Sequence, residues 1–263
     1  MDTATFLETR RVFSLRDAVA ALSPGQRKGA LDRLQYFAKQ GRVKSVAYGV
    51  YASVPAGADA RRFQPDRYLV AAALRPDGVI SHHAALELLG AAHSDWSTCT
   101  VLTRRRRPPV SLDGVTIQFL APPAMLARRH RDNLGVRPVD RLGQTLRVTG
   151  PERTLVDGFW QPGLVGGLPE LVESAAGFGV LDLDLLREVL KAYDQKTLFA
   201  AVGWFLERYQ RTFFVSAKYL SALQKRCPKA PHYLLRAERG GVMVPRWNLI
   251  VPEPLVRGEP NEP

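Results

Sequence analysis

Lys28, Asp32, Gln35, Tyr36 and Lys39 fall on one side of a helical wheel at 100° per residue, opposite an apolar arc of Ala30, Leu31, Leu34, Phe37 and Ala38. A helix with a basic, amide-bearing outer face has what docking into a DNA groove requires. Amide side chains read base edges through paired hydrogen bonds, and cationic side chains hold the phosphates that set register. Gln35 is the candidate reader of an adenine edge, and Arg27, at the start of the helix, of a guanine or a phosphate. Lys28, Lys39, Arg42 and Lys44 suit phosphate positioning, and Tyr36 and Tyr48 complete the DNA-binding set. Asp32 on the same face, and the apolar stem of Arg27, fit equally a solvated helix in a protein-binding module.

A second basic set follows much later. Arg104, Arg105, Arg106 and Arg107 are consecutive and run into Pro108-Pro109, which keeps the segment extended and its side chains in solvent. Arg128, Arg129 and Arg131 surround His130. Folded together, the two runs would make one further phosphate-contacting patch; a solubilising surface loop is an equally good reading.

These clusters carry the charge of the whole chain. The 263 residues hold 37 Lys/Arg against 25 Asp/Glu, a formal charge of +12. Residues 1–57 contribute nine basic and four acidic side chains and residues 100–147 ten and three, while the remainder is nearly neutral. Localised positive charge is the footprint of a polyanion partner, because each Lys or Arg contact to a phosphate releases condensed counterions. Nucleic acid is therefore the expected partner.

Catalytic chemistry finds little support. No GxxxxGK[ST], GxGxxG or GxSxG motif occurs. Glu188 and Lys191 form E-x-x-K, and with Asp182 and Asp184 they read as a helix start and its solvated face. Adjacent His82 and His83 project 100° apart on a helix and cannot easily share a metal. Cys99 and Cys227 stand alone, so both are expected to be reduced and buried, with no disulfide or zinc site. No catalytic residue, metal or cofactor is expected; a metal-dependent nuclease is the alternative that basic patches and scattered acids would allow. Helical spacing from Leu181 to Gln210 reads as core, with a partner-binding scaffold as its less economical alternative.

The elements that must position the basic face are legible in the pattern. Ser14 can cap a helix over 15–22, whose Leu15, Ala18, Val19 and Leu22 form a core stripe. Ser23-Pro24-Gly25 breaks the chain, and a longer helix runs from about Gln26 to Gln40, ended by Gly41. Period-two alternation then predicts a hairpin, with Lys44-Ser45 at its turn or flank. Helix, turn, helix and basic hairpin make a winged helix-turn-helix over 1–57. Pro, Ala, Gly and Asp enrichment predicts a linker at 58–63, followed by a larger mixed α/β domain over 64–263. In that domain the pattern predicts a helix over 67–74, a strand at Val79-Ile80, a helix capped by Ser81 with His82 and His83 in its first turn, strands over 98–103, 115–120 and 146–149, and a helix from Glu152. The fold class is mixed α/β. The least polar stretch, 164–180, is broken by glycines, Pro169 and two glutamates, so no membrane span is expected. Residues 1–16 have no apolar core of the kind a secretory signal needs, and a cytoplasmic location is expected.

Several segments resemble one family. Glu152-Arg153-Thr154-Leu155-Val156-Asp157, with Pro162, Gly166-Gly167 and Glu170 beyond it, is similar to the AbiEi antitoxin family. The resemblance extends to Tyr48-Gly49-Val50-Tyr51, to the run from Ile80 to Gly90, to Gly203-Trp204-Phe205-Leu206-Glu207 and, less specifically, to Arg246–Pro252. It implies a transcriptional repressor and antitoxin of a type IV toxin-antitoxin system, autoregulating its operon and counteracting a nucleotidyltransferase-like toxin without a stable complex between the two. Double-stranded operator DNA, as an inverted repeat, is the implied partner, read by a monomer or homodimer. A solitary regulator without a toxin is the alternative. Glu152, Arg153 and Asp157 have a sufficient structural reading: acidity at a helix start, and an ion pair of Arg153 with one of the two acids.

Overall fold

The computed structural model describes residues 2–105, 107–235 and 240–257, and its fold is mixed α and β. Two compact units divide the chain, each assembled from separate stretches. The first comprises the residues up to Ala84, Trp96–Ala121 and Arg137–Val148; the second comprises Ala85–Asp95, Pro122–Val136 and the residues from Thr149 on.

The first unit opens with α1 (Thr3–Thr9), β1 (Val12–Ser14), α2 (Leu15–Leu22), α3 (Arg27–Lys39), β2 (Val43–Ala47) and β3 (Val50–Ser53). Ser14 leaves its strand and caps α2 in the same step: its hydroxyl accepts from the Asp17 amide at 3.2 Å while the Asp17 carboxylate accepts from the Ser14 amide at 2.9 Å. Across the break after α2, Arg33 Nη1 donates to the Leu22 carbonyl at 2.8 Å and ties the two helices together. Phe6, Leu7, Phe13, Ala18, Leu22, Leu34 and Val43 fill the space beneath, with Phe6 edge-on to Phe13 at 4.8 Å. The three strands run antiparallel in the order β1-β3-β2. The hairpin turn is Tyr48-Gly49, with Gly49 at φ +72°, a conformation that a side chain would strain. Lys44-Ser45, expected at or beside the turn, lies inside β2, because the glycine and not the polar pair supplies the positive φ.

The winged helix does not end in a free linker. Residues 55–63 fold into successive turns, with Ala58 N–H donating to Pro55 and Phe63 N–H to Asp59. Beyond them α4 (Arg67–Leu74), capped by Asp66 accepting from the Tyr68 and Leu69 amides at 3.0 Å, packs on β1 and β3. The expected boundary at 58–63 therefore separates segments that share one unit.

The rest of this unit is a six-stranded sheet. Its strands are β4 (Val79–Ser81), β5 (Thr98–Leu102), β6 (Val110–Leu112), β7 (Val115–Leu120), β8 (Val136–Arg141) and β9 (Gln144–Thr149), in the order β6-β7-β5-β4-β9-β8. Pairs β5/β7 and β4/β9 are parallel; β4/β5 and β6/β7 are antiparallel. The Gln144 side chain accepts from the Val12 amide at 3.2 Å and donates to the Val12 carbonyl at 3.1 Å, so β9 hydrogen-bonds to the first strand of the winged helix. Strands β6 and β8 go beyond those the pattern predicts. Each belongs to a two-residue hairpin, Asp113-Gly114 (φ +41° and +87°) and Leu142-Gly143 (φ +53° and +76°), the double positive-φ geometry that suits the twist of paired strands. Ser81 is not a helix cap. It ends β4, its hydroxyl contacts His82 Nδ1 at 2.9 Å, and His82 takes a left-handed φ of +57° before the next helix begins at His83.

The second unit is helical, with α5 (His83–Leu88) leading into it, then α6 (Ala124–Arg128), α7 (Pro151–Trp160), α8 (Leu168–Ala176), α9 (Leu183–Tyr193), α10 (Lys196–Arg208), α11 (Ala217–Gln224) and α12 (Glu253–Arg257). A small sheet, ordered β10-β12-β11, is made of β10 (His232–Tyr233), β11 (Val242–Val244) and β12 (Leu249–Val251). Leu155, Val156, Leu171, Leu186, Leu190, Phe199, Phe205 and Trp247 are among its buried residues. Trp247 is fully buried, donates from Nε1 to Glu207 at 2.6 Å and lies flush against Gly203. A Cβ at position 203 would stand 2.2–2.6 Å from three ring atoms of Trp247. The indole cannot retreat without breaking its bond to Glu207, so Gly203→Ala is expected to cost about 1–3 kcal/mol or more. Urea unfolding checks this, and an unchanged midpoint would show that the ring moves freely.

Candidate nucleic-acid interface

Helix α3 sorts its residues by burial much as its periodicity predicts. Ala30 and Leu34 are buried and Leu31 and Phe37 half-buried, while Arg27, Lys28, Asp32, Gln35, Tyr36 and Lys39 are exposed. Ala38, expected on the inner arc, is exposed: at the last turn Phe37 fills the inner space, with the Arg42 guanidinium over its ring at 5.3 Å and Tyr36 edge-on at 5.3 Å. Tyr36 is 59% exposed and Tyr48, at the tip of the hairpin, 91%. Both rings stand open to water, Tyr36 on the outer face of the helix and Tyr48 on the wing. The N-cap of α3, Gln26, makes no side-chain cap, which leaves the first amides of the helix without a side-chain acceptor.

Lys44 departs from its expected role. Its ammonium donates to the Phe63 carbonyl at 2.7 Å and stands 3.8 Å from the Asp113 carboxylate, so it ties β2 to the turns after the wing and to the β6–β7 hairpin. A side chain committed to two acceptors inside the unit is a strut, not a phosphate contact. Arg42 remains exposed beyond its stacking on Phe37. Arg33, which no pattern singles out, is a second structural cation of this region. Its position one turn before Phe37, across from the end of α2, is the signal available for it.

The second basic set divides between the two units. Arg104 and Arg105 are exposed in the loop after β5, and Arg107 is half-buried with its guanidinium 5.8 Å from the Phe119 ring. Arg106 lies outside the described residues. Arg128, Arg129 and Arg131 belong to the other unit. Arg129 donates to the Lys191 and Ala192 carbonyls at 3.2 and 3.3 Å and pairs with Asp194 at 3.2 Å, and Arg131 pairs with Glu188. These two arginines secure the end of α6 to α9. Arg129 and Arg131 are thus engaged with α9, while Arg128 is exposed.

The motif that carries the family resemblance is a buried brace. Arg153 is fully buried in α7, and its Nε donates to both carboxylate oxygens of Asp157 at 3.0 and 2.9 Å. Nη1 donates to the Leu134 carbonyl at 3.0 Å, the Tyr193 hydroxyl donates to Asp157, and the Tyr193 ring lies 5.6 Å from the guanidinium. Glu152 accepts from the Asp182 amide at 2.8 Å and so fixes the start of α9. Of the two acids, Asp157 is the ion-pair partner.

Among the described residues, no group of three or more His, Cys, Asp or Glu side chains is placed to hold a metal ion, and no helix is long and apolar enough to cross a membrane. Cys99 is buried as expected, whereas Cys227 is half-buried; burial pushes its thiol up to about 11, which keeps it protonated and a poor nucleophile.

Comparison with models of known protein families finds no match, and none is found among curated protein sequences. Among solved structures, the crystal structure of the RV2827C protein from Mycobacterium tuberculosis matches with a TM-score of 0.59, covering 94% of this chain and 89% of that chain at 17% sequence identity. The likeness is one of fold.

Proposed function

We propose that this protein binds double-stranded DNA through its winged helix and acts as a transcriptional repressor of its own operon. The observation that carries this reading is the outer face of α3 with the adjoining wing tip: Arg27, Lys28, Gln35, Tyr36, Lys39 and Tyr48 are all exposed. Cations for phosphates, an amide for a base edge and two open aromatic rings are what major-groove docking with a reaching wing uses. Arg42 extends the set at the base of the wing; Lys44 is withdrawn from it. The resemblance of the Glu152–Asp157 motif and its companions to the AbiEi family supports a second element, that the protein is the antitoxin of a type IV toxin-antitoxin pair opposing a nucleotidyltransferase-like toxin in the cytoplasm, without a stable complex. A solitary regulator is the alternative that a genome lacking an adjacent toxin gene would favour.

Gln35→Ala tests the base-reading role. Loss of a bidentate adenine contact is expected to cost about 1–3 kcal/mol on operator DNA and to leave random DNA almost unaffected, which relaxes sequence preference. Competition binding against a scrambled duplex checks it. Equal loss on both duplexes would remove Gln35 from the reading set. For the antitoxin element, co-expression with the neighbouring toxin gene should restore growth, and failure to do so would leave a regulator alone.

A further inference from the structure

Residues 208–235 carry six Lys or Arg and no Asp or Glu, a local charge that the function proposed above does not use. In the fold this stretch is the end of α10, the turn after it, α11 and the chain through β10, all within the second unit. Lys218, Lys225 and Lys229 are exposed. Lys218 and Lys225 are seven residues apart, so they share one face of α11 about 10 Å apart along its axis. Between them only the small side chains of Ser221 and Ala222 face solvent. The Tyr219 hydroxyl donates to the Leu183 carbonyl at 2.6 Å and brings the start of α9 alongside. The acids there are already engaged, Asp182 as the cap of α9 and Asp184 in an ion pair with Arg187 at 2.5 Å.

The turn that leads into α11 adds a ring to these cations. Val215 N–H donates to the Gln210 carbonyl at 3.0 Å and the Gln210 side-chain amide donates to the Val215 carbonyl at 2.8 Å, so the turn is pinned at both ends. Phe213 and Val215 are buried, and Phe214 between them is turned outward, 91% exposed. Its φ of +51° is a left-handed conformation that strains a bulky residue and that glycine would take freely. Strain kept in a pinned turn to hold a ring outward is an outlier from which a contact can be inferred. A fixed ring beside open cations is the combination that holds an unpaired nucleic-acid strand, a base stacking on the ring while lysines follow the phosphates. Duplex DNA keeps its bases stacked and would leave the ring unused. A membrane surface needs an apolar face, whereas Leu220 and Leu223, the apolar side of α11, are buried. We propose that Phe214, Lys218 and Lys225 form a binding site for single-stranded nucleic acid, with one base against Phe214 and the backbone along α11. The site shares no residue with α3 and does not rest on operator binding.

The test titrates the full-length protein into fluorescently labelled oligouridylate and oligothymidylate of about 12 nucleotides, a length within the usual site size. Anisotropy is read over a series of salt concentrations. At least one of the two strands should bind saturably with a Kd of about 1–100 μM, and the tighter one distinguishes RNA from DNA as the strand preferred. Phe214→Ala should weaken binding about fivefold or more, whereas Phe214→Tyr keeps a stacking ring and should bind like the wild type. Both should unfold at the thermal midpoint of the wild type. Lys218→Ala with Lys225→Ala should lower the slope of log K against log salt by about 1.4, at about 0.7 for each phosphate contact on a single strand. Equimolar polyglutamate, a polyanion without bases, should not displace the strand. Nor should the duplex upstream of the gene, which α3 would take. Absence of saturable binding by both strands, displacement by polyglutamate or by the duplex, full binding by Phe214→Ala, equal weakening by Phe214→Tyr, or an unchanged salt slope in the lysine pair would each overturn the proposal.

Discussion

Asp157→Ala is expected to destabilise the protein by about 3–5 kcal/mol, the loss typical of leaving one partner of a buried ion pair without the other. Arg153 would remain at zero exposure with its Nε pointing at an emptied site, and Tyr193 would lose the acceptor for its hydroxyl. Among the described residues, the Leu134 carbonyl and the face of the Tyr193 ring would still meet the guanidinium. Desolvation of a charge is what sets the size of the loss, so deleting the charge should recover much of it. Arg153→Met with Asp157→Leu is accordingly expected to be far more stable than Asp157→Ala alone. Denaturant unfolding of the three proteins distinguishes a brace from a surface pair: a loss under about 1 kcal/mol for Asp157→Ala would mean that water reaches the site.

The second large effect concerns DNA. Lys28 and Lys39 lie 11 residues apart on α3, about 16 Å along the axis, and bracket Gln35. Every phosphate that a lysine neutralises adds about 0.9 to the steepness of log K against log salt, so Lys28→Ala with Lys39→Ala should lower that slope by nearly 2. Affinity for specific and random duplex should fall together, because phosphates carry no sequence information. Both lysines are exposed and neither supports the core, so stability should change by less than about 0.5 kcal/mol. A slope unchanged by the double substitution would take α3 out of the interface.

Much of the fold is legible where a cap and a period agree. Ser14 and the 3.6-residue recurrence behind it place α2 at its observed bounds; α3 follows from its recurrence and the Gly41 stop, and α4 from its apolar side, without a side-chain cap on α3. The wing turn is harder to place because polarity at Lys44-Ser45 competes with the glycine at 49, and the hairpin needs positive φ more than it needs polar side chains. Strands β6 and β8 escape the pattern because a three-residue strand, Val110–Leu112, is too short to show a period, and Val136–Arg141, with two arginines and a proline, carries little alternation; the Asp-Gly and Leu-Gly pairs beside them are the available signal. The unit boundary is a different kind of failure. Composition at 55–63 describes local backbone preference, whereas the division of the chain depends on α4 packing against β1 and on Gln144 bonding to Val12, 132 positions away. The commitments of Lys44, Arg129 and Arg131 are likewise invisible in one dimension, since their partners, from Phe63 to Asp113 and from Glu188 to Asp194, are set by tertiary contact.

That same packing determines how DNA binding is best tested. Deleting residues 1–63 would strip β1 and β3 from α4, so substitutions on the surface of the intact chain are preferable to truncation. The decisive comparison is a salt-titrated mobility shift of the full-length protein and of a Lys28→Ala, Gln35→Ala, Lys39→Ala variant, on the duplex upstream of its own gene and on a scrambled duplex. A winged-helix operator reader binds the upstream duplex in preference to the scrambled one, and the triple substitution abolishes that preference and flattens the salt dependence. Equal binding of the wild type to both duplexes, or an unchanged preference in the variant, would contradict it.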